Sequence, residues 1–299
     1  MNTFDLQIQT SASDGRYTSR ELVKRASLLK LKTIAITDHD TVSGVSEALS
    51  AGEDYGVEVI PGIEISAHDE AGDFHILAFG FDYKNPALLQ ALEEAQRVRV
   101  GRAKEMVGWL QKIGFQITYE DVLRYATGSS VGRPHIASAI LANPENKKML
   151  EGINNVGSFI RAYLVPGKGA YVSHENISVQ STISLVHQAR GVAVWSHPAL
   201  HFKDFEKLEE VLKKFIGYGI DGVEAFNPAH SQIQAEFLRE LAIKYGILYT
   251  AGSDFHTDEA IKTDRDGGSE LASFFTYGFD VSEIVSKLKE AIVRRWKEI

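Results

Sequence analysis

The chain has 299 residues, 44% of them hydrophobic and 24% charged, the balance of a globular protein with length for about two domains. It has no cysteine, which excludes disulfide frameworks, thiolate metal sites and cysteine nucleophiles. A formal net charge of −8 argues against a broad basic face for duplex DNA, and no apolar run approaches the ~20 residues of a membrane span.

The opening MNTFDLQIQT lacks a basic segment followed by an apolar run, so no secretory signal is expected and a cytoplasmic protein is. Short apolar runs rich in β-branched residues predict strands at 4–9, 33–37, 57–65, 74–81, 192–195, 222–226 and 247–251. Helical patterns lie between many of them, at 18–30, 43–53, 178–189, 204–216, 232–245 and from 282 to the end. The first has a capping-box spacing, Thr18 followed three residues later by Glu21. Strands alternating with helices predict mostly parallel pairing and an α/β fold. Seven strands point to a closed or nearly closed barrel, with an open doubly wound sheet as the alternative.

Between 85 and 168 this rhythm breaks. Helices are predicted at 86–110, 119–125 and 133–141, and strand patterns are weak. The segment reads as an inserted helical cap domain, with the barrel domain formed by 1–84 and 169–299. The turn Pro166-Gly167-Lys168-Gly169 marks the return.

In a barrel of parallel strands the reactive residues sit at the C-terminal strand ends. Here the first strand ends in Gln7 and Gln9, with Asp14 in the following loop; the second ends in Thr37-Asp38-His39-Asp40. The third ends near Glu64, the fourth contains His75 and the fifth ends in Ser196-His197-Pro198. The sixth ends near Glu224 to Asn227, and the seventh runs into Gly252-Ser253-Asp254-Phe255-His256. Any one of these has a bland reading: His75 as a packed histidine, Glu64 as half of an ion pair. Together they would be costly to bury without a shared cation, and imidazole with carboxylate suits manganese, iron or zinc.

The segments DLQIQTSASDG, TIAITDHDTVSG, VIPGIEIS, FHILAFGF, VAVWSHP and AGSDFH resemble, in order and spacing, those of the PHP superfamily of polymerase and histidinol-phosphate phosphatase domains. The resemblance covers nearly the whole chain. It implies a distorted seven-stranded barrel with two to three divalent metal ions, manganese favoured. Carried over, Glu64, His75 and His197 hold one ion and Asp14, His39 and His256 another. A third ion would take two histidines on the first strand with Glu64 and Asp254. At those two positions this chain has Gln7 and Gln9. Their spacing of two keeps them on one strand face, but an amide oxygen is a weaker donor than imidazole nitrogen for such a metal.

Gly132-Arg133-Pro134-His135 in the insertion, with 219–224 and 227–231, resembles the subgroup that dephosphorylates 3′,5′-bisphosphonucleotides and trims short RNA from its 5′ end. A metal-dependent phosphoesterase acting on a small phosphorylated nucleotide or short RNA is therefore expected, with attack by a metal-activated water. Arg133 offers a planar fork for phosphate, and Lys168, His135 and His230 are further candidate contacts. His197, Asp254 and His230 are the candidates to protonate the leaving group. The alternative is a metal- or nucleotide-binding protein that has lost turnover through Gln7 and Gln9. A metal-dependent amidohydrolase is a third reading, disfavoured by the order of the motifs and the lack of a suitable lysine on a middle strand. His68, His174, His187 and His201 have no motif behind them, and Trp109, Trp195 and Trp296 read as packing residues.

Overall fold

The computed structural model of the protein describes residues 2–126, 128–173, 177–258 and 270–297; His174 and the last two residues of the final predicted helix lie outside them. The strands are β1 (Phe4–Ile8), β2 (Thr33–Ile36), β3 (Glu58–Asp69), β4 (Gly72–Phe79), β5 (Ile177–Ser178), β6 (Val192–Trp195), β7 (Gly222–Phe226) and β8 (Leu248–Ala251). Seven of them form one curved sheet in the order β1-β2-β3-β4-β6-β7-β8, and the two-residue β5 pairs with β3. The ends of the sheet approach each other. Ile8 bridges Phe255 just past β8, and Gln9 N donates to Phe255 O at 2.9 Å. A Cβ at Gly252 would stand 2.5 Å from Gln7 Cβ, so only glycine lets the two strands meet. The result is a nearly closed seven-stranded barrel.

Pairing departs from a purely parallel pattern at one hairpin. β3 pairs antiparallel with β4, and β4 antiparallel with β6, while β1-β2, β2-β3, β6-β7 and β7-β8 are parallel. β4 therefore starts at the end of the barrel where the parallel strands finish. That reversal brings His75, near the start of β4, to the same mouth as the other candidates.

Around the sheet lie α1 (Ser19–Leu28) and α2 (Val45–Tyr55). After β4 come α3 (Pro86–Ile113), α4 (Tyr119–Leu123), α5 (Arg133–Ala142) and α6 (Val156–Tyr163); α7 (Val179–Gln188), α8 (Phe205–Gly217), α9 (Gln232–Tyr245) and α10 (Ile284–Lys297) complete the set. The predicted Thr18–Glu21 capping box is present: Glu21 N donates to Thr18 Oγ1, and Thr18 N donates back to the Glu21 carboxylate. The composition of 150–163 gave no helix prediction, yet α6 forms there with a cap from Asn155, whose side chain accepts from Ser158 N.

Buried apolar side chains fall into separate groups. One joins the barrel strands to α7, α8 and α9 and includes Phe79, Trp195, Phe215 and Phe226. A second lies beneath α1 and α2, around Ile8, Leu22, Ile34 and Phe255. A third is built within 100–172, around Met106, Leu110, Phe115, Ile140 and Phe159, with Phe115, Phe159 and Tyr163 in mutual ring contact at 5.0–5.4 Å. Burial of each such side chain contributes roughly 1.5–3 kcal/mol. Trp195 is fully buried, whereas Trp109 and Trp296 remain 42% and 43% exposed, so packing accounts for only the first. Lys112 lies over the ring of Trp109, and Trp296 Nε1 donates to Gly80 O. No helix among the described residues is long and apolar enough to cross a membrane.

Candidate metal centre

Alternation along β1 turns Gln7 and Gln9 into the barrel, both fully buried. The loop that follows carries Asp14 and is fixed by Asp38 at the end of β2. Asp38 accepts from Thr10 N at 2.7 Å, Thr10 Oγ1 at 2.7 Å and Ser13 Oγ at 2.6 Å. Asp38 thus shapes the loop, while its neighbour His39 points to the centre.

Glu64 on β3 is the hub. In the β3-β4 register Ser66 faces His75, which places Glu64 and His75 as diagonal neighbours on one face of the hairpin. Glu64 Oε1 is 3.0 Å from His75 Nδ1 and 3.1 Å from His197 Nε2, and these two nitrogens are 3.3 Å apart. Glu64 Oε2 is 3.6 Å from His39 Nδ1. His197 follows β6 with a left-handed backbone, φ 30°, and its N–H donates to Glu224 on β7 at 2.9 Å.

Beyond β8, Asp254 also has a left-handed backbone, φ 51°. His256 donates Nδ1–H to Asp254 O at 2.8 Å, which turns Nε2 toward Asp14 Oδ1, 3.5 Å away. A histidine held through one nitrogen by a backbone carbonyl presents the other as a metal ligand. Ligand atoms of Asp14, His39 and His256 form one group within 4.8 Å of one another, and those of His39, Glu64 and His75 form a second.

Burial opposes every charge here, and the neighbours override it at each of these groups except His39. Asp14 is held down at about 2 because His39 and His256 outweigh burial, and Glu64 is held well below its usual range by His39 and His75. Burial lowers His39 to about 4. His197 and His256 rise to about 9: Glu64 overcomes desolvation for the first, Asp14 and Asp254 for the second.

The residues present fit bound divalent ions at two positions. The buried atoms Asp14 Oδ1, His39 Nδ1 and His197 Nδ1 make no hydrogen bond. The 3.0–3.3 Å spacing among the Glu64, His75 and His197 atoms is close to the roughly 3.4 Å edge of a tetrahedron of ligands about 2.0–2.1 Å from an ion. Gln7 and Gln9 do not present lone pairs in this way: Gln9 Nε2 donates to Glu64 Oε2 at 2.7 Å, and Gln7 Nε2 donates to Ser196 Oγ at 3.0 Å.

The centre floors a cavity of about 960 Å³, walled by α3, α5 and the 165–171 segment. Asp14, His39, His75, His197, Asp254, His256, Arg133 and His135 all line it. His135 accepts from Gly132 N through Nδ1 at 3.0 Å, so its Nε2 carries the proton. Two proposed contacts lie elsewhere. Lys168 is exposed and outside the lining, and His230 is buried beside Ala225 O, 2.9 Å from its Nδ1.

Residues that the motifs did not flag complete the wall. Arg99 and Arg102 stand three apart on α3, hence on one face, and both line the cavity with Tyr171 and His201. Burial and the nearby charge of Arg133 push Arg102 down to about 10. The His201 ring stacks on His197 at 5.7 Å and lies 5.0 Å from Phe74. The Arg99–Arg102 spacing was visible in the sequence, but such a pair usually marks a solvated helix face. A second recess, about 1100 Å³, opens at the other end of the barrel between Phe4 and α10 and has no histidine in its lining.

The PHP domain model matches residues 5–190. The chain belongs to the PHP family. It is 30% identical over 253 residues to a 5′-3′ exoribonuclease of Haemophilus influenzae, covering 85% of this chain and 89% of that one. It is 29% identical over 257 residues to a 3′,5′-nucleoside bisphosphate phosphatase of Chromobacterium violaceum, covering 86% and 88%. A crystal structure from Bifidobacterium adolescentis, described as a metal-dependent phosphoesterase, superposes with a TM-score of 0.80 at 30% identity, covering 97% of this chain and 96% of that one. This PHP protein shares the architecture of that structure.

Proposed function

We propose that this PHP protein is a divalent-metal-dependent phosphoesterase acting on small phosphorylated nucleotides, a 3′,5′-bisphosphonucleotide or the 5′ end of a short RNA. The observation that carries the reading is the pairing of two histidine–carboxylate groups on the cavity floor with Arg99, Arg102 and Arg133 in its wall. The names of the relatives support the substrate class.

Asp14, His39 and His256 would hold one ion, and Glu64, His75 and His197 another, with manganese favoured over iron and zinc. Divalent ions at such positions lower the pKa of a bound water toward neutrality and offset charge on phosphate oxygens. Arg133 and Arg102 bind phosphate oxygens through planar N–H pairs. His135 adds an Nε2–H donor from the first turn of α5. Asp254, inside the cavity, would give a proton to the leaving oxygen, and His230, outside its lining, would act only through its neighbours. The segment 85–168 serves as a cap that excludes water and holds the nucleoside, with His201 and Tyr171 as ring surfaces for a base.

Phosphate release from 3′,5′-bisphosphoadenosine, measured for manganese-loaded and chelator-treated protein, tests this. The expected result is turnover that disappears with the metal. Metal-loaded protein that binds the nucleotide without releasing phosphate would overturn the reading in favour of a binding protein.

A further inference from the structure

Glu64 has two carboxylate oxygens and therefore about four lone pairs to place. All surround it inside a fully buried pocket. Two are consumed by the protein itself. Gln9 Nε2 donates to Oε2 at 2.7 Å, and Ser196 Oγ donates to Oε1 at 3.0 Å. Ser196 is set to donate because it accepts from Gln7 Nε2 at 3.0 Å. The second lone pair of Oε1 meets His197 Nε2 in a hydrogen bond of 3.1 Å, with His75 Nδ1 at 3.0 Å, a contact that a bound ion would replace, and that of Oε2 faces His39.

The amides are held in this orientation. Asn227 Nδ2 donates to Gln7 Oε1 at 3.3 Å and to Glu224 Oε2 at 3.0 Å, which fixes Gln7 with its nitrogen toward Ser196. Turning the Gln9 amide over would set its oxygen 2.7 Å from Glu64 Oε2, two acceptors in contact with no proton between them. On its other side Gln9 Oε1 lies 3.2 Å from Ser13 Oγ, whose hydrogen also has Asp38 Oδ1 at 2.6 Å.

Building on the phosphoesterase reading, we propose that Gln7 and Gln9 replace a cation rather than bind one. Their N–H groups, direct from Gln9 and relayed through Ser196 from Gln7, occupy the side of Glu64 that a third ion would need. The centre is thus a two-ion site bridged by Glu64, and the glutamines are positioning residues that fix the metal count. Metal count and turnover are measured independently.

The test is metal content. Metal-stripped protein is loaded with manganese, freed of excess ion by gel filtration and analysed by elemental mass spectrometry. The expected content is two ions per chain for the parent and three for the double variant Gln7→His/Gln9→His. Anomalous scattering from manganese-loaded parent crystals, which needs no variant, should show two peaks flanking Glu64 and none beside Gln7 and Gln9. Three ions in the parent, a third peak beside the glutamines, or a double variant that folds and stays at two would overturn the proposal. Fewer than two ions in the parent would overturn both this and the phosphoesterase reading. Two ions without phosphate release would sink only the latter.

Discussion

Arg99 Nε donates to Asp40 Oδ2 at 2.5 Å, tying α3 to the residue that follows the metal-facing His39. The same guanidinium donates to Ser66 Oγ at 2.7 Å, and Ser66 N donates to Asp40 Oδ1 at 2.7 Å. Gln96, one turn earlier on α3, donates to Asp40 O at 3.0 Å. Asp40 is fully buried and has a left-handed backbone, φ 51°, so the turn that aims His39 is held from outside the barrel.

Arg99→Ala should therefore destabilise the protein by about 3–5 kcal/mol, the usual cost of leaving a buried charge without its partner, and weaken metal binding through His39. Urea unfolding and manganese titration measure the two effects. Arg99→Lys should recover only part, since an ammonium lacks the planar fork that reaches Asp40 and Ser66 together. Unchanged unfolding in Arg99→Ala would show that the turn needs no brace.

Arg133→Ala and Arg102→Ala should each raise KM for a bisphosphonucleotide. A hydrogen bond to a charged group contributes about 1.5–3 kcal/mol, roughly 10- to 150-fold in affinity. Both side chains line the cavity, and Arg102 also donates to Val172 O at 2.9 Å, so its removal should lower stability slightly as well. Unaltered KM in both variants, with intact folding, would remove the arginine wall from the substrate site.

His39 belongs to both ligand groups, whereas His256 belongs to one. His39→Ala and His256→Ala should each lose the ion held with Asp14 and keep the one held by Glu64, His75 and His197, so the loading of each falls by about one ion per chain. Loss of both ions in His39→Ala would show that the two positions share this histidine.

In the metal-free protein His197 and His256 titrate near 9 rather than 6.5, because nearby carboxylates outweigh burial. A histidine pKa raised by folding stabilises most below the unfolded value and loses that contribution as pH climbs through the folded one. The Tm of metal-free protein should thus fall between pH 6.5 and 9. Metal must displace these protons, so loading at pH 7 should release about two per chain, read by calorimetry in buffers of different ionisation enthalpy. A flat Tm together with proton-free binding would contradict the assignment of charge.

Much of this was written in the sequence. The seven strands and most helices follow from apolar periodicity and from caps such as Thr18–Glu21, which act over a few residues and need no tertiary context. The motifs around Asp14, His39, His197 and His256 follow for the same reason: each lies where a strand runs out into a polar turn; Glu64, expected at such an end, sits inside β3, which continues to Asp69. α6 was not legible, because its short stretch is stabilised by Phe159 packing on Phe115, a contact between distant segments. Nor was the arginine wall, since helical spacing puts Arg99 and Arg102 on one face without saying what that face meets. The reversal of β4 that brings His75 to the mouth turns on a short hairpin between Asp69 and Gly72, whereas the pairing of β4 with β6 and the approach of β1 to β8 at Gly252 join segments far apart in the chain. The sequence by itself determined that Gln7 and Gln9 share a strand face. Only the tertiary structure decided that their N–H groups turn to Glu64 and Ser196, because an amide's direction is set by its partners, and those come from β3 and the end of β6.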